Sequence, residues 1–239
     1  MPQQTPGKIF LAEERGLAES DRFRRFSTFN FGPFAHAHKG PFGRLYGLNE
    51  ETLAGGHALD FTVAEASHVL ILPLTGAVTL NCVGPPATTV DAGQLLILTL
   101  PAASVLHVKN PFATELVGFL HIWLLADSPV SAVAARRAVF SLDDSPNQLI
   151  PLAPVPAPPA ARPLPLAVSV GRFAGRHEAI YQPSGSDSRL FVFVLAGAFE
   201  VEGRLMHAND GLALWDAANV ELEALSNDAV LMVLEIEAF

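Results

Sequence analysis

The chain has 239 residues, half of them apolar and 16% charged, which is enough core material for two domains and excludes a disordered protein. Fifteen basic against 24 acidic residues leave a net charge of -9, which argues against nucleic acid as partner. The single cysteine, Cys82, rules out an intramolecular disulfide, and the start MPQQTPGKIFLAEERG has no secretory apolar core. With no apolar run long enough for a membrane span, the reading is a cytoplasmic protein without membrane contact.

In chain order, residues 1–41 are rich in Phe, Gly and Pro and predict one edge strand near Ser27 to Phe31, ended by Gly32-Pro33. Arg22, Arg24 and Arg25 sit among Phe23 and Phe26, and three charges in an acidic chain read as solvated or locally paired. His36 and His38 have the His-x-His spacing that puts two imidazoles on one face of a strand. Close glycine and proline make this a surface loop instead. Strand-like runs follow at 42–50, at Leu59 to Val63, through Val69 to Leu98, at Val105 to Val108 and at 114–125. Asp127-Ser128-Pro129 has the pattern of a short helical cap. Seven prolines from Pro151 to Pro165 predict an extended connection.

The unit Ser67 to Leu98 recurs at Ser188 to Trp215. In each, an apolar run reaches a glycine turn (Gly76, Gly197), a second run leads away, and Asp-Ala-Gly93 or Asn-Asp-Gly211 opens a third. No helical stretch is long enough for a crossover, so the strands pair antiparallel. The expected fold is all-β, with two similar barrels at 42–125 and 166–237.

The strings FGRLYGLNEETLAGG, VLILPLTGAV followed by DAG, the strand ending HIWLL and above all NDGLALWDAANVELEALSNDAVLMVLEIE resemble the pirin-like bicupins, including bacterial quercetinase-type homologues. The resemblance implies two tandem cupin (double-stranded β-helix, jelly-roll-like) domains. Their expected limits are 1–145 for the N-terminal cupin, 146–165 for the Pro-rich linker and 166–239 for the C-terminal cupin. It also implies a metal pocket in the first barrel, held by a His-x-His and a His-x-Glu. Counted from Gly76 and Gly93, those positions fall on Thr62, Ala64, His107 and Lys109, so one ligand type of four remains and a lysine replaces the carboxylate. His57, Asp60, Glu65 and His68 lack ligand spacing, and His68 and His121 sit at the start of or within apolar strands, as hydrogen-bonded structural histidines do. In the second copy the equivalent positions are Pro183 and Gly185, with His177 and His207 outside the pattern.

There is no Gly-x-Ser-x-Gly elbow and no phosphate loop, and Cys82 beside a turn reads as a packing residue. The favoured reading is a bicupin without its metal, with no catalytic residue and no cofactor, that binds a small molecule or acts as a regulator of a protein partner. Thr62, Ala64, His107 and Lys109 are its expected pocket residues, weighed equally against a pocket filled by side chains with function moved to the surface, and a one-residue error in the count would turn Lys109 outward. The alternative is a quercetinase-type dioxygenase holding Fe, Cu, Mn or Ni through another ligand set. A third reading is a metal-free hydrolase or isomerase with His107 as general base.

Overall fold

The computed structural model describes residues 4–82, 87–153, 164–185 and 187–237. In chain order the first strands are β1 (Gly7–Phe10), β2 (Gly16–Glu19), β3 (Phe23–Ser27), β4 (Leu45–Leu53), β5 (Ala58–Thr62) and β6 (Ser67–Thr75). Then come β7 (Ala77–Asn81), β8 (Thr88–Asp91), β9 (Gln94–Leu100), β10 (Val105–Lys109), β11 (Val117–Leu125) and β12 (Ala134–Val139). The remainder are β13 (Ile150–Ala153), β14 (Leu166–Phe173), β15 (Glu178–Tyr181), β16 (Arg189–Ala196) and β17 (Ala198–Val201), then β18 (Arg204–His207), β19 (Gly211–Leu214), β20 (Val220–Ala224) and β21 (Ala229–Ile236). Among the described residues the helical content is one turn at Ala12–Glu14, and no helix is long and apolar enough to cross a membrane.

Two compact units result, one spanning Arg15–Val139 and the other joining the residues before Arg15 to those from Phe140 onward. The first packs a seven-stranded sheet, β12-β9-β6-β11-β4-β3-β2, against a four-stranded one, β5-β10-β7-β8. The second has β1-β19-β16-β21-β14-β13 and β15-β20-β17-β18. Shifting the labels by ten maps β9-β6-β11-β4 onto β19-β16-β21-β14 and β5-β10-β7-β8 onto β15-β20-β17-β18, so the duplicated unit extends to eight strands, all antiparallel. Each barrel closes on its own core. Val69, Ile71, Phe119 and Trp123 meet Phe61, Val78 and Leu106 in the first, and Leu190, Val192 and Val233 meet Phe199, Val201 and Leu222 in the second. Burying such side chains stabilises each by about 1.5–3 kcal/mol.

The hairpin glycines behave alike, at φ +71° in Gly76 and +75° in Gly197. The third-run pairing is different from the expected one. Gly93, two residues past β8, has φ +83°, and its counterpart two residues past β18 is Asn209, at φ +71°. Gly211 instead begins β19, where a Cβ would strike the Phe191 ring.

Other boundaries also move. The strand expected at Ser27 to Phe31 lies earlier, at Phe23–Ser27, because alternation in FRRFS already places Arg25 and Ser27 on the buried face, and it is not an edge, since β2 pairs along its outer side. Asp127 and Ser128 form a bend and no helix follows Pro129, so the expected helical cap is not formed. The N-terminal limit of 1–145 does not hold, since β1 adds to β19 in the second barrel, pairing Gly7 with Leu214 and Phe10 with Gly211. The connection also begins with structure: Ile150–Ala153 pairs with β14 as an edge strand, where Pro151 can omit its donor. The rest of the expected linker, 154–163, lies outside the described residues.

Candidate functional site

Period-2 alternation decides which side chains of the first barrel face inward. In β5 and just beyond it, Phe61 and Val63 are buried and Thr62 and Ala64 are exposed; in β10, Leu106 and Val108 are buried while Lys109 is exposed. The four expected pocket residues, Thr62, Ala64, His107 and Lys109, therefore lie on the outer face and do not line the interior. His107 stands opposite Asp60 across the β5–β10 pair, with Nδ1 2.6 Å from Asp60 Oδ1 and side chains 45% and 66% exposed. Lys109 faces Ala58 and Thr79 on its two neighbouring strands.

The interior holds a different polar group. Arg25, Glu51 and His121 come from β3, β4 and β11, neighbours in the long sheet, with Arg25 directly opposite Glu51. The Arg25 Nε–H donates to Glu51 Oε2 at 2.6 Å, and His121 Nε2 lies 3.2 Å from the same oxygen. The Trp123 indole N–H donates to His121 Nδ1 at 2.8 Å. Because indole is only a donor, Nδ1 must keep its lone pair, so the imidazole proton sits on Nε2 and is donated to Glu51. Burial, opposed by Glu51, pushes the His121 pKa down and keeps the ring neutral. Both ring nitrogens are thereby used, so His121 positions Glu51 and has no nitrogen left to act as a base. Around it stand Phe61 and Phe31, with ring centroids 4.6 Å and 5.5 Å from that of His121.

Glu51 and His121 are fully buried. Arg25 had no local partner to find: Arg24 pairs with Glu19 at the surface, while Arg25 turns inward to a glutamate 26 residues on. Its guanidinium carbon lies 5.0 Å, 5.3 Å and 5.4 Å from the ring centroids of Phe61, Phe23 and Phe31. Next to this charge network, Asn49 is fully buried with neither amide atom hydrogen-bonded, and Glu51 Oε1 also lacks a partner.

Residues 166–236 match the family described as the quercetinase C-terminal cupin domain. Quercetin 2,3-dioxygenase of Escherichia coli strain K12 is 22% identical over 222 residues, covering 92% of this chain and 95% of that protein. The bacterial pirin YhhW of Escherichia coli, solved in complex with nickel(II), superposes with a TM-score of 0.82 at 18% identity, over 98% of this chain and 100% of its own. The chain has the bicupin fold of the bacterial pirins. A quercetin 2,3-dioxygenase structure from Acinetobacter baumannii shares this fold with a TM-score of 0.69 at 16% identity, over 98% of the bicupin and 86% of that chain.

Other titratable groups of the bicupin have structural partners. His68 is buried and its Nδ1 lies 2.9 Å from Thr99 Oγ1, the hydrogen-bonded role expected of it. Cys82 packs against the first core, and burial pushes its thiol pKa up. His36 and His38 lie in an exposed loop. Among the described residues no three His, Cys, Asp or Glu are grouped as metal ligands would be, and the remaining residues include none of those four types.

The C-terminal barrel has its own carboxylate centre. Glu235 accepts from the Tyr181 hydroxyl at 2.7 Å, the Ser188 hydroxyl at 2.6 Å and the Ser184 backbone N–H at 2.7 Å. Burial pushes its pKa up, yet hydrogen bonds from Ser184, Ser188 and Tyr181 outweigh it and hold the group below the ordinary carboxylate value. Pro183 and Gly185, the counterparts of Thr62 and Ala64, flank Ser184 in the chain. On the outer face of the same barrel, Glu178, Glu223 and Glu200 lie side by side across β15, β20 and β17, beside a groove of about 320 Å³, with Arg176 on Glu223 at 3.1 Å.

Proposed function

We propose that this bicupin works without the metal that its family resemblance implies, as a small-molecule-binding or regulatory protein. One observation carries the reading: where the motif count puts the metal, the side chains that face the interior are Phe61, Val63, Leu106 and Val108, which offer no donor, while Thr62, Ala64, His107 and Lys109 lie on the outer face with His107 Nδ1 engaged by Asp60. A divalent cation needs several nitrogen, oxygen or sulfur donors held in fixed geometry, and an adjacent ammonium repels it. This donor set does not fit one, so no chemistry is routed through a metal here. The first barrel's interior supports the same reading, because its polar groups form a charge-balanced Arg25–Glu51 pair held by His121 and Trp123.

The test is metal analysis of protein purified without chelator, with thermal melting against Ni, Fe, Cu and Mn salts and an assay for quercetin turnover. The expected outcome is substoichiometric metal, an unchanged melting temperature and no turnover. Stoichiometric metal that raises the melting temperature and is lost in His107→Ala would overturn the reading in favour of a dioxygenase.

A further inference from the structure

Arg25 uses one of its five N–H donors within the protein. Its Nε–H goes to Glu51, and Nη1 and Nη2, which carry the other four, have no hydrogen-bond partner among the described residues. The side chain is 10% exposed, and the Nη atoms are not among the buried unsatisfied groups, so this exposure includes the guanidinium end. Gly32 marks the opening. It is exposed, and among the described residues other than its chain neighbours Arg25 Nη1, at 4.0 Å, is the one atom within 4 Å of the place where its Cβ would stand.

We propose that Arg25, framed by Phe23, Phe31 and Phe61, is the recognition centre for a small aromatic carboxylate at the point where the first barrel's interior meets solvent beside Gly32. The edge formed by Nη1 and Nη2 is a two-donor fork that matches the two oxygens of a carboxylate, and charge-assisted bonds of this kind are the strong ones. Four free donors and no acceptor select against neutral and cationic ligands. The three rings around the guanidinium supply apolar walls for an aryl group. Preorganisation is built in. Trp123 fixes His121, His121 and Arg25 share one Glu51 oxygen, and the guanidinium is held before any ligand arrives, which lowers the ordering cost of binding. Glu51, the charged group facing Arg25 from β4, lies fully buried behind it and leaves the outer edge free. This site rests on the small-molecule reading above and names its ligand class.

The experiment is a ¹⁵N–¹H NMR titration of the full chain with benzoate, with benzamide as the neutral isostere and acetate as the anion without a ring. Saturable one-to-one benzoate binding is expected to shift the Arg25 Nε–H and Gly32 amide resonances, with benzamide producing no shift. Acetate binds about tenfold more weakly, and Arg25→Lys, which keeps the charge but removes the fork, weakens benzoate about tenfold. If benzoate moves no resonance at about 10 mM, or moves only those around Lys109, the site is refuted. Equal binding by folded Arg25→Lys also refutes it, and if that variant does not fold, the wild-type shift map alone decides. Failure here with the metal test negative removes only the carboxylate site, whereas a tightly bound metal removes the reading beneath it.

Discussion

Removing the charge of Glu51 tests the internal network most directly. Glu51→Gln keeps the shape but leaves the Arg25 guanidinium without its counter-ion among three aromatic rings, and breaking a buried pair costs about 3–5 kcal/mol. Arg25 reaches solvent at its outer end, so the lower figure, about 3 kcal/mol, applies to this variant. Arg25→Met strands a fully buried carboxylate that keeps only the His121 contact, and should cost about 4 kcal/mol. The double variant has neither charge, and an apolar replacement of a buried pair is near neutral, so about 2 kcal/mol of packing loss is expected in place of the additive figure of about 7. Unfolding in guanidinium chloride would be followed by fluorescence in a Trp215→Phe background, where Trp123, in contact with the network, is the remaining indole. A double variant as unstable as the sum of the singles would refute the coupling.

Acid should weaken the first barrel. His121 is held below its ordinary value of 6.5, so as pH falls through that value the unfolded chain takes up a proton that the folded chain refuses, and up to about 1.4 kcal/mol is lost per pH unit. His68, also depressed, acts in the same direction; a melting temperature flat from pH 7 to 5 would contradict both. Glu235→Gln should cost the second barrel about 2–3 kcal/mol and speed hydrogen exchange at the Ser184 amide, whose acceptor is weakened; unchanged exchange would show that other contacts hold that loop. Deleting residues 1–11 removes β1 and the buried Phe10, lowering stability by about 3–5 kcal/mol and uncovering the β19 edge, which light scattering should register as association. Gly197→Ala, at φ +75° with Ser226 and Ala229 packed against the site of a new Cβ, should destabilise by about 1–3 kcal/mol in a calorimetric scan.

The duplicated hairpin was readable because Gly76 and Gly197 punctuate β-branched runs, and β5, β10 and β11 fall within a few residues of expectation. The same alternation could have corrected the pocket. Leu106 and Val108 as the apolar members of VLHVK turn His107 and Lys109 outward, and Phe61 and Val63 do the same for Thr62 and Ala64. Counting along the family's motif overrode that local signal. Arg25, Glu51 and His121 were a harder case, because they lie 26 and 70 residues apart and meet only through the β3-β4-β11 register. Strand periodicity reports which face a residue occupies; it does not report which strand lies alongside. Pro151 was read as a breaker, and it is tolerated because β13 is an edge.

The pairing of β1 with β19 gives the second barrel an unusual order of assembly. Gly7 meets Leu214, so the strand made first waits for one made about two hundred residues later, and at about 5–20 residues per second that wait is on the order of 10–40 s. Arg15–Val139 contains every strand of its own barrel and can close within that interval. Loop-closure entropy grows only logarithmically with length, so the separation adds little to the equilibrium cost of the pairing. Its burden is temporal: until β19 emerges, Ile9 and Phe10 stay exposed on a growing chain, where a chaperone or another nascent copy can reach them first.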